Sequence, residues 1–292
     1  MLDYTQLAAL TAIHRRGSFD LAAAALGVTP SAISQRLKAL EERTGVLLVR
    51  RGQPCQATAA GLRLVRHFEE VALLETALQG DLPAQQAGQT SLRIAVNADS
   101  LATWVLPALA ATTGFLFDLV IDDQDHSQEL LRSGEVAAAI TGHSGAIQGC
   151  DCYPLGALRY RATASPQFVA RWLAGGATRA TLSKAPALTF SDKDRLQRDW
   201  LRGTLGSSFP FPTHRLASSQ GFVTAALLGL GWGMNPDLLT APHLAQGRLT
   251  EVIPGTPLDV PLYWQFARLT APALAPLTRA IRATALQALL QT

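Results

Sequence analysis

Residues 17–61 read GSFDLAAAALGVTPSAISQRLKALEERTGVLLVRRGQPCQATAAG, and the punctuation of this stretch decides the fold of the chain's first domain. Ser18 can cap a helix over Phe19–Leu26, and Gly27 offers the left-handed backbone that ends a helix at no Cβ penalty. Thr29-Pro30 sets an N-cap before a proline at the first helical position, a sharp start for a helix running to about Thr44. Residues 22–25 are all alanine, small enough for two helix backbones to approach closely. Upstream, Asp3 can cap a helix over Tyr4–Arg16 that buries Leu7, Leu10 and Ile13. Three short helices with a tight turn before the third make a helix-turn-helix.

The third helix divides by face. Ile33, Leu37 and Leu40 fall at helical spacing and should pack inward. Ser31, Ser34, Gln35 and Lys38 recur at i, i+3, i+4 and i+7, a polar stripe of short hydroxyls and an amide that can reach base edges when a helix enters a major groove. Arg36 and Arg43 flank the stripe, where phosphates would lie. Any amphipathic surface helix carries a polar stripe, and it is the alanine run, the Gly27 turn and the Thr29-Pro30 start that favour a DNA reader. After Gly45 the apolar residues 46–49 suggest a short strand, and Arg50-Arg51-Gly52-Gln53-Pro54 a hairpin wing whose arginines grip phosphates or enter the minor groove. A plain solvated turn is the other reading of that arginine pair.

Charge supports the same division. The chain of 292 residues carries a formal +3, but residues 1–67 hold nine Lys/Arg against four Asp/Glu, a net of +5, which leaves −2 for the rest. A basic head on a slightly acidic body suits a protein whose front end meets an anionic polymer. With 48% hydrophobic and 16% charged residues the chain is globular and long enough for two or three domains. The start Met1-Leu2-Asp3-Tyr4 lacks a secretory pattern, and the most apolar stretch, residues 221–234, is too short and glycine-rich to span a bilayer. Three cysteines, Cys55, Cys150 and Cys152, cannot all pair, which points to a reduced, cytoplasmic compartment. Cys150-Asp151-Cys152 has no second ligand pair, so no metal is expected.

Thr58 can cap a long helix, on which Leu64, Phe68, Val71, Leu74 and Leu78 form an apolar seam. A second copy of the chain would cover it; packing on the chain's own body is the alternative. Residues 82–90 read as a hinge. From Ser91 onward strands and helices alternate. Strands are expected at 92–96, 116–121 and 136–141, with helices at 100–113 and 127–133 between them, hence a parallel sheet. A second α/β region covers 164–266, with a helix at 220–230 and a strand at 261–267, and a last helix over 272–291 returns to the first lobe. A cleft at strand C-terminal ends is the usual ligand site of such a pair of lobes. Asn97-Ala98-Asp99-Ser100 and Ser218-Ser219-Gln220 each join a loop to a helix start whose free N–H groups favour a carboxylate. Asp122, Asp123, Asp125 and Glu129 form an acidic rim suited to a cation. Ordinary capping beside a solvated acidic loop explains the same residues.

The opening of the chain, about sixty positions and above all the run over residues 17–61, resembles the N-terminal signature of the LysR-type transcriptional regulators. That resemblance implies promoter DNA as partner and assigns base and phosphate contacts to Pro30, Ser31, Ser34, Gln35, Arg36, Lys38, Arg50 and Arg51. It implies a winged helix-turn-helix over 1–58, a linker (dimerisation) helix over 59–81 and a hinge over 82–90. A two-lobed α/β effector domain of periplasmic-binding-protein type follows over 91–292, with lobe I at 91–163 plus 268–292 and lobe II at 164–267. Pairing as a dimer or dimer of dimers, and contact with RNA polymerase, are implied too. LRIAVNADSLATWVLPALA, SGEVAAAIT, SSQGFVTAALLGLGWGMNPD and LYWQFAR are similar to the branch that senses lysine and arginine, the ArgP/LysG group, whose members control basic amino-acid export. By position this likeness nominates Asn97, Asp99, Ser100, Thr103, Trp104, Asp123 and Ser219 for the effector pocket, with Asp99 or Asp123 holding a side-chain cation and Ser100 and Ser219 a carboxylate. Trp104 reads equally well as core. A Glu would be expected where Gln220 stands.

Rival functions fit less well. No nucleophile elbow, zinc-protease helix, P-loop or dinucleotide fingerprint appears, and the six histidines show no metal spacing, so neither an enzyme nor a cofactor is expected. A solute-binding protein of transport shares the two lobes but needs an export signal and has no use for a basic head. A LysR-type regulator of an unrelated small metabolite is the remaining alternative.

Overall fold

The computed structural model describes residues 2–81, 89–122, 127–145 and 147–291. The head is built from α1 (Tyr4–Arg16), α2 (Phe19–Leu26) and α3 (Pro30–Thr44), each opened by its own cap: Asp3 accepts from the Thr5 and Gln6 amides, Ser18 from Leu21 and Thr29 from Ala32. Such caps satisfy amides that a helix start otherwise leaves orphaned. Gly27 closes α2 at φ 63°, the left-handed turn the sequence demanded. Leu7, Leu10, Ile13, Ala22, Ile33, Leu37 and Leu40 share one core.

The wing is shorter than its apolar run suggests. Strands β1 (Val49–Arg50) and β2 (Gln56–Ala57) pair antiparallel, while Val46 and Leu47 stay exposed ahead of them. The reason is local, since the Glu41 carboxylate of α3 takes the Leu48 amide at 2.8 Å and fixes where the strand begins. The wing is tied back to α1 by the Cys55 amide on the Gly17 carbonyl and the Ala57 amide on His14 Nδ1, 3.4 Å. Burial holds the His14 pKa below its ordinary 6.5, with Arg15 lowering it further. The folded state therefore binds this proton less readily than the unfolded chain, so the stability His14 lends is complete above pH 6.5 and is lost as pH falls through the depressed value. Thermal unfolding of the full chain should show this acid-side loss, and His14→Gln should flatten it.

Helix α4 (Ala59–Asp81) follows, its first turn capped by the Thr58 hydroxyl on the Gly61 amide. Gly61, Val65 and Leu73 are its buried line, with Leu64 and Phe68 packed partly on the head. Val71 and Leu74 are half-buried and Leu78 is 60% exposed, so the seam read from sequence is only partly covered by the chain's own body. The expected hinge falls largely on residues 82–88, outside the described residues, and its last member, Thr90, already belongs to a strand.

The sensor begins with β3 (Thr90–Val96), the short α5 (Ala98–Ser100), a wide π turn at Leu101–Val105 and α6 (Leu106–Ala110). Then come β4 (Phe115–Ile121), α7 (Ser127–Ser133), β5 (Ala138–Thr141) and a 15-residue strand, β6 (Cys150–Ala164). Lobe II holds α8 (Pro166–Trp172), α9 (Arg179–Leu182), β7 (Ala187–Thr189), α10 (Leu196–Leu205), β8 (Thr213–Arg215), α11 (Ser219–Leu227), β9 (Gly233–Pro236), α12 (Asp237–Ala245) and β10 (Thr250–Glu251). Strand β11 (Leu258–Ala267) returns, and α13 (Ala271–Ala288) packs on lobe I beside α6 and α4. The main sheet runs β10-β6-β11-β5-β3-β4 with β9 also on β6, and β3 lies parallel to both β4 and β5. Strand β11 pairs antiparallel along its whole length with residues 150–160 of β6, and the pair serves both lobes. Tyr263–Phe266 of β11 pair with β5. The end of β11 therefore completes the sheet of lobe I, although it lies before the boundary at 267 read from sequence, which falls at the last residue of the strand. Among the described residues no helix is long and apolar enough to cross a membrane.

Candidate functional site

Two faces carry chemistry. On α3 the inward residues Ile33, Leu37 and Leu40 are buried, and this leaves Pro30, Ser31, Gln35 and Lys38 exposed and Ser34 and Arg36 half-buried at the rim. The stripe therefore points to solvent from the N-terminal half of the helix, the end from which a major-groove reader reaches bases. Arg50 and Arg51 project from the wing, and the Arg51 guanidinium lies over the Phe19 ring at 5.3 Å. Such stacking restrains a long side chain while leaving its donors available.

The second face is a cavity of about 480 Å³ between the lobes. Lobe I contributes the C-terminal ends of its parallel strands: Asn97 and Asp99 after β3, Asp122 after β4 and Gly142 after β5. Opposite stand the segment between β7 and α10, including Lys193 and Asp194, and Ser219 at the first residue of α11. Tyr160 of β6 donates its hydroxyl to Asp99 Oδ2 at 2.8 Å. Five carboxylates line the cavity (Asp99, Asp122, Asp194, Asp199 and Asp259) against the cations Lys193 and Arg195. Several are compensated locally. Arg159 holds Asp259 through two 2.8 Å bonds, keeping that carboxyl below the usual range, Arg202 pairs with Asp199, and Lys193 reaches Asp122 at 3.7 Å across the cleft. Ser219 is 5% exposed and its Oγ has no hydrogen-bond partner in the structure. A buried hydroxyl without a partner costs free energy that a ligand acceptor would offset.

Residues 4–62 match the bacterial regulatory helix-turn-helix protein, lysR family, and residues 85–289 match the LysR substrate binding domain. The chain belongs to the LysR family. This LysR-type regulator is 45% identical over 289 residues to the HTH-type transcriptional regulator LysG of Mycobacterium tuberculosis, covering 97% of this chain and 94% of that one. To the regulator ArgP of Pseudomonas aeruginosa PAO1 it is 42% identical over 290 residues, covering 98% and 96%. The crystal structure of ArgP from Mycobacterium tuberculosis superposes with a TM-score of 0.84 at 43% identity over the whole of both chains. The full-length LysG of Corynebacterium glutamicum with bound effector Arg gives 0.71 at 34% identity, over 99% of this chain and 100% of that one.

Of the pocket residues nominated from sequence, Asn97, Asp99 and Ser219 line the cavity of this LysR-type regulator. Asn97 is spent in part as a helix cap, its Oδ1 accepting from the Ser100 amide. Ser100, Thr103 and Trp104 do not line it. Ser100 is fully buried, Thr103 turns back to donate to the Asp99 carbonyl at 2.6 Å, and Trp104 sits 1% exposed in the main core. Asp123 lies outside the described residues. Gln220, where a Glu was expected, is exposed and outside the lining. Tyr160, Lys193, Asp194, Asp199 and Asp259 line it and were not foreseen, because nothing in the sequence signals which residues of one lobe face the other.

Proposed function

We propose that this LysR-type regulator senses a basic amino acid, lysine or arginine, in the inter-lobe cavity and thereby controls a gene for basic amino-acid export. The observation that carries the reading is the acid-lined cavity with a buried hydroxyl without a partner at the start of α11, in a chain 34% identical to a LysG solved with bound effector Arg. The α11 start and Ser219 receive the α-carboxylate, as a helix N-terminus does for anions, and Asp99 receives the side-chain cation. Asp123, outside the described residues, is the second candidate for the cation; Ser100, set back in the core, acts on the carboxylate only if the Ala98–Ser100 turn opens. Calorimetry of the full chain with lysine, arginine, histidine and an aromatic acid tests the choice. Binding of the aromatic acid alone would overturn it in favour of an unrelated metabolite.

At the other end, the stripe of Pro30, Ser31, Ser34, Gln35, Arg36 and Lys38 enters the major groove of promoter DNA, and Arg50 and Arg51 grip the flanking backbone or minor groove. The half-covered seam on α4 pairs with a second copy, as a dimer or a dimer of dimers, so that two heads read symmetric half-sites. Such a regulator works where bacterial DNA is, in the cytoplasm, without catalysing a reaction. Effector closure changes the angle between paired sensors, the spacing of the heads, the bend of the DNA and so the contact with RNA polymerase. Gln35→Ala should relax sequence preference, costing on the order of 1–3 kcal/mol of discrimination at one base position. Arg51→Ala should instead weaken all sequences alike and reduce the salt slope by about 1. Binding titrations on specific and random duplexes at several salt concentrations read both effects, and equal behaviour of the two variants would refute the division of roles.

A further inference from the structure

Away from both faces, one side chain touches all three parts of the molecule. Arg15, in the last turn of α1, donates from Nε to Glu69 Oε1 at 2.8 Å and from Nη2 to Glu69 Oε2 at 2.6 Å. The same Nη2 donates to the backbone carbonyl of Glu135 at 3.2 Å. Glu69 belongs to α4, and Glu135 to the turn between α7 and β5 of lobe I. The pair is sheltered, with side chains 15% and 28% exposed. A planar guanidinium that makes three directed bonds at once fixes an orientation better than a point charge would.

The packing around it is close. A Cβ on Gly134 would come within 2.4 Å of Arg66 Cδ, so the lobe I turn is pressed against α4 beside the clasp. The turn is itself well anchored. The Glu135 and Val136 amides both donate to the Leu130 carbonyl of α7, and the Ala137 amide donates to the Arg93 carbonyl of β3. Both strands at this turn lead to the cavity: β3 is followed by Asn97 and β5 by Gly142, two of its lining residues. One end of lobe I thus holds the ligand site and the other holds the head, with short hydrogen-bonded elements between.

We infer that Arg15 is a positioning residue, whose clasp of Glu69 and the Glu135 carbonyl sets the orientation in which lobe I presents the DNA-reading head. The part that concerns effector response rests on the reading of the cavity given above. Displacement of β3 and β5 at the cavity end shifts the 134–137 turn, and the guanidinium carries that shift to α1 and α4 together. Coupling of this kind needs contiguous packed elements with alternative arrangements, and lobe closure supplies the second arrangement.

Burial pushes the Glu69 carboxyl up in pKa, opposed by the Arg15 guanidinium. Arg15→Met alone would strand that carboxylate, so the test uses Arg15→Met combined with Glu69→Met, which keeps volume and removes both charges. Two readouts are taken on the full chain. In the first, operator DNA is titrated with and without saturating arginine. The variant should keep its arginine affinity within about twofold while the arginine-driven change in operator affinity falls by about fivefold or more. The second needs no effector: amide exchange over residues 130–137 is followed on adding operator DNA. It should change in the unsubstituted chain and stay constant in the variant. The charge-swapped pair Arg15→Glu with Glu69→Arg, which restores the ion pair but moves the guanidinium onto α4, should not recover the DNA effect on exchange. An arginine-insensitive unsubstituted chain that still shows the exchange effect would sink the effector reading and leave the clasp standing. An exchange response in the double Met variant equal to that of the unsubstituted chain overturns the clasp.

Discussion

Asp99→Asn should bind arginine and lysine at least about thirtyfold more weakly than the unsubstituted chain, because truncating one partner of a sheltered charge pair costs on the order of 2–5 kcal/mol. The substitution is chosen to spare the fold. Tyr160 donates to Asp99 Oδ2 at 2.8 Å, and the carbonyl oxygen of an asparagine can accept the same bond. What disappears is the negative charge that faces the cavity, and with it the preference for a cationic side chain. The four other carboxylates of the lining do not replace it. Arg159, Arg202 and Lys193 already stand against three of them, and Asp194 accepts from the Phe190 and Leu196 amides of its own loop. Calorimetry with arginine reads the loss directly. A drop of less than about threefold, under 1 kcal/mol, would place the cation elsewhere in the cavity.

Gly61→Ala sets two principles against each other. Helix propensity alone says that alanine in α4 stabilises by about 1 kcal/mol relative to glycine. The structure says otherwise. A Cβ at this position would lie 2.2 Å from the Leu48 carbonyl oxygen, 3.1 Å from its carbon and 3.2 Å from Ala57 Cβ. The obstacle is backbone at the root of the wing, fixed on one side by Glu41 and on the other by the Thr58 amide on that same carbonyl. The clash prevails, and the variant should be destabilised by roughly 1–3 kcal/mol, with the wing and its Arg50 and Arg51 displaced. Gly203→Ala in α10 is the control. Nothing lies within 4 Å of a Cβ there, so it should stabilise by about 0.4–1 kcal/mol. Thermal unfolding of both variants separates the cases, and a stabilised Gly61→Ala would mean that the wing does not pack against α4 as described.

The head was the most legible part of the sequence. Its helices are bounded by Asp3, Ser18 and Thr29 at their starts and by Gly17, Gly27 and Gly45 at their ends, and local capping chemistry needs no tertiary context. The sensor was readable in outline only. Residues 100–113 read as one helix but fold as Ala98–Ser100, a π turn and Leu106–Ala110, since apolar spacing does not distinguish a widened turn from a regular one. Strand β6 escaped notice because it changes partners along its length, from β11 to β9 and β10, and its exposure does not alternate with period two. The cavity followed the same division. Asn97, Asp99 and Ser219 stand at helix starts that a sequence announces, whereas Tyr160, Lys193 and Asp259 meet them only through the crossing of β6 and β11. Thr103 and Trp104, nominated by position from the likeness to the lysine- and arginine-sensing branch, are turned away by the winding of the same segment.

In the function proposed above, α3 lies in a major groove while the cavity governs how it lies there. An operator selected from random duplex DNA, probed by methylation protection of guanine N7 with the full chain in the presence and absence of arginine, tests both halves at once. Protection in two major-groove half-sites about one helical turn apart, or a multiple of it, with a pattern that changes on adding arginine, is the expected result. Unprotected major grooves, or a footprint identical with and without arginine and lysine, would contradict it.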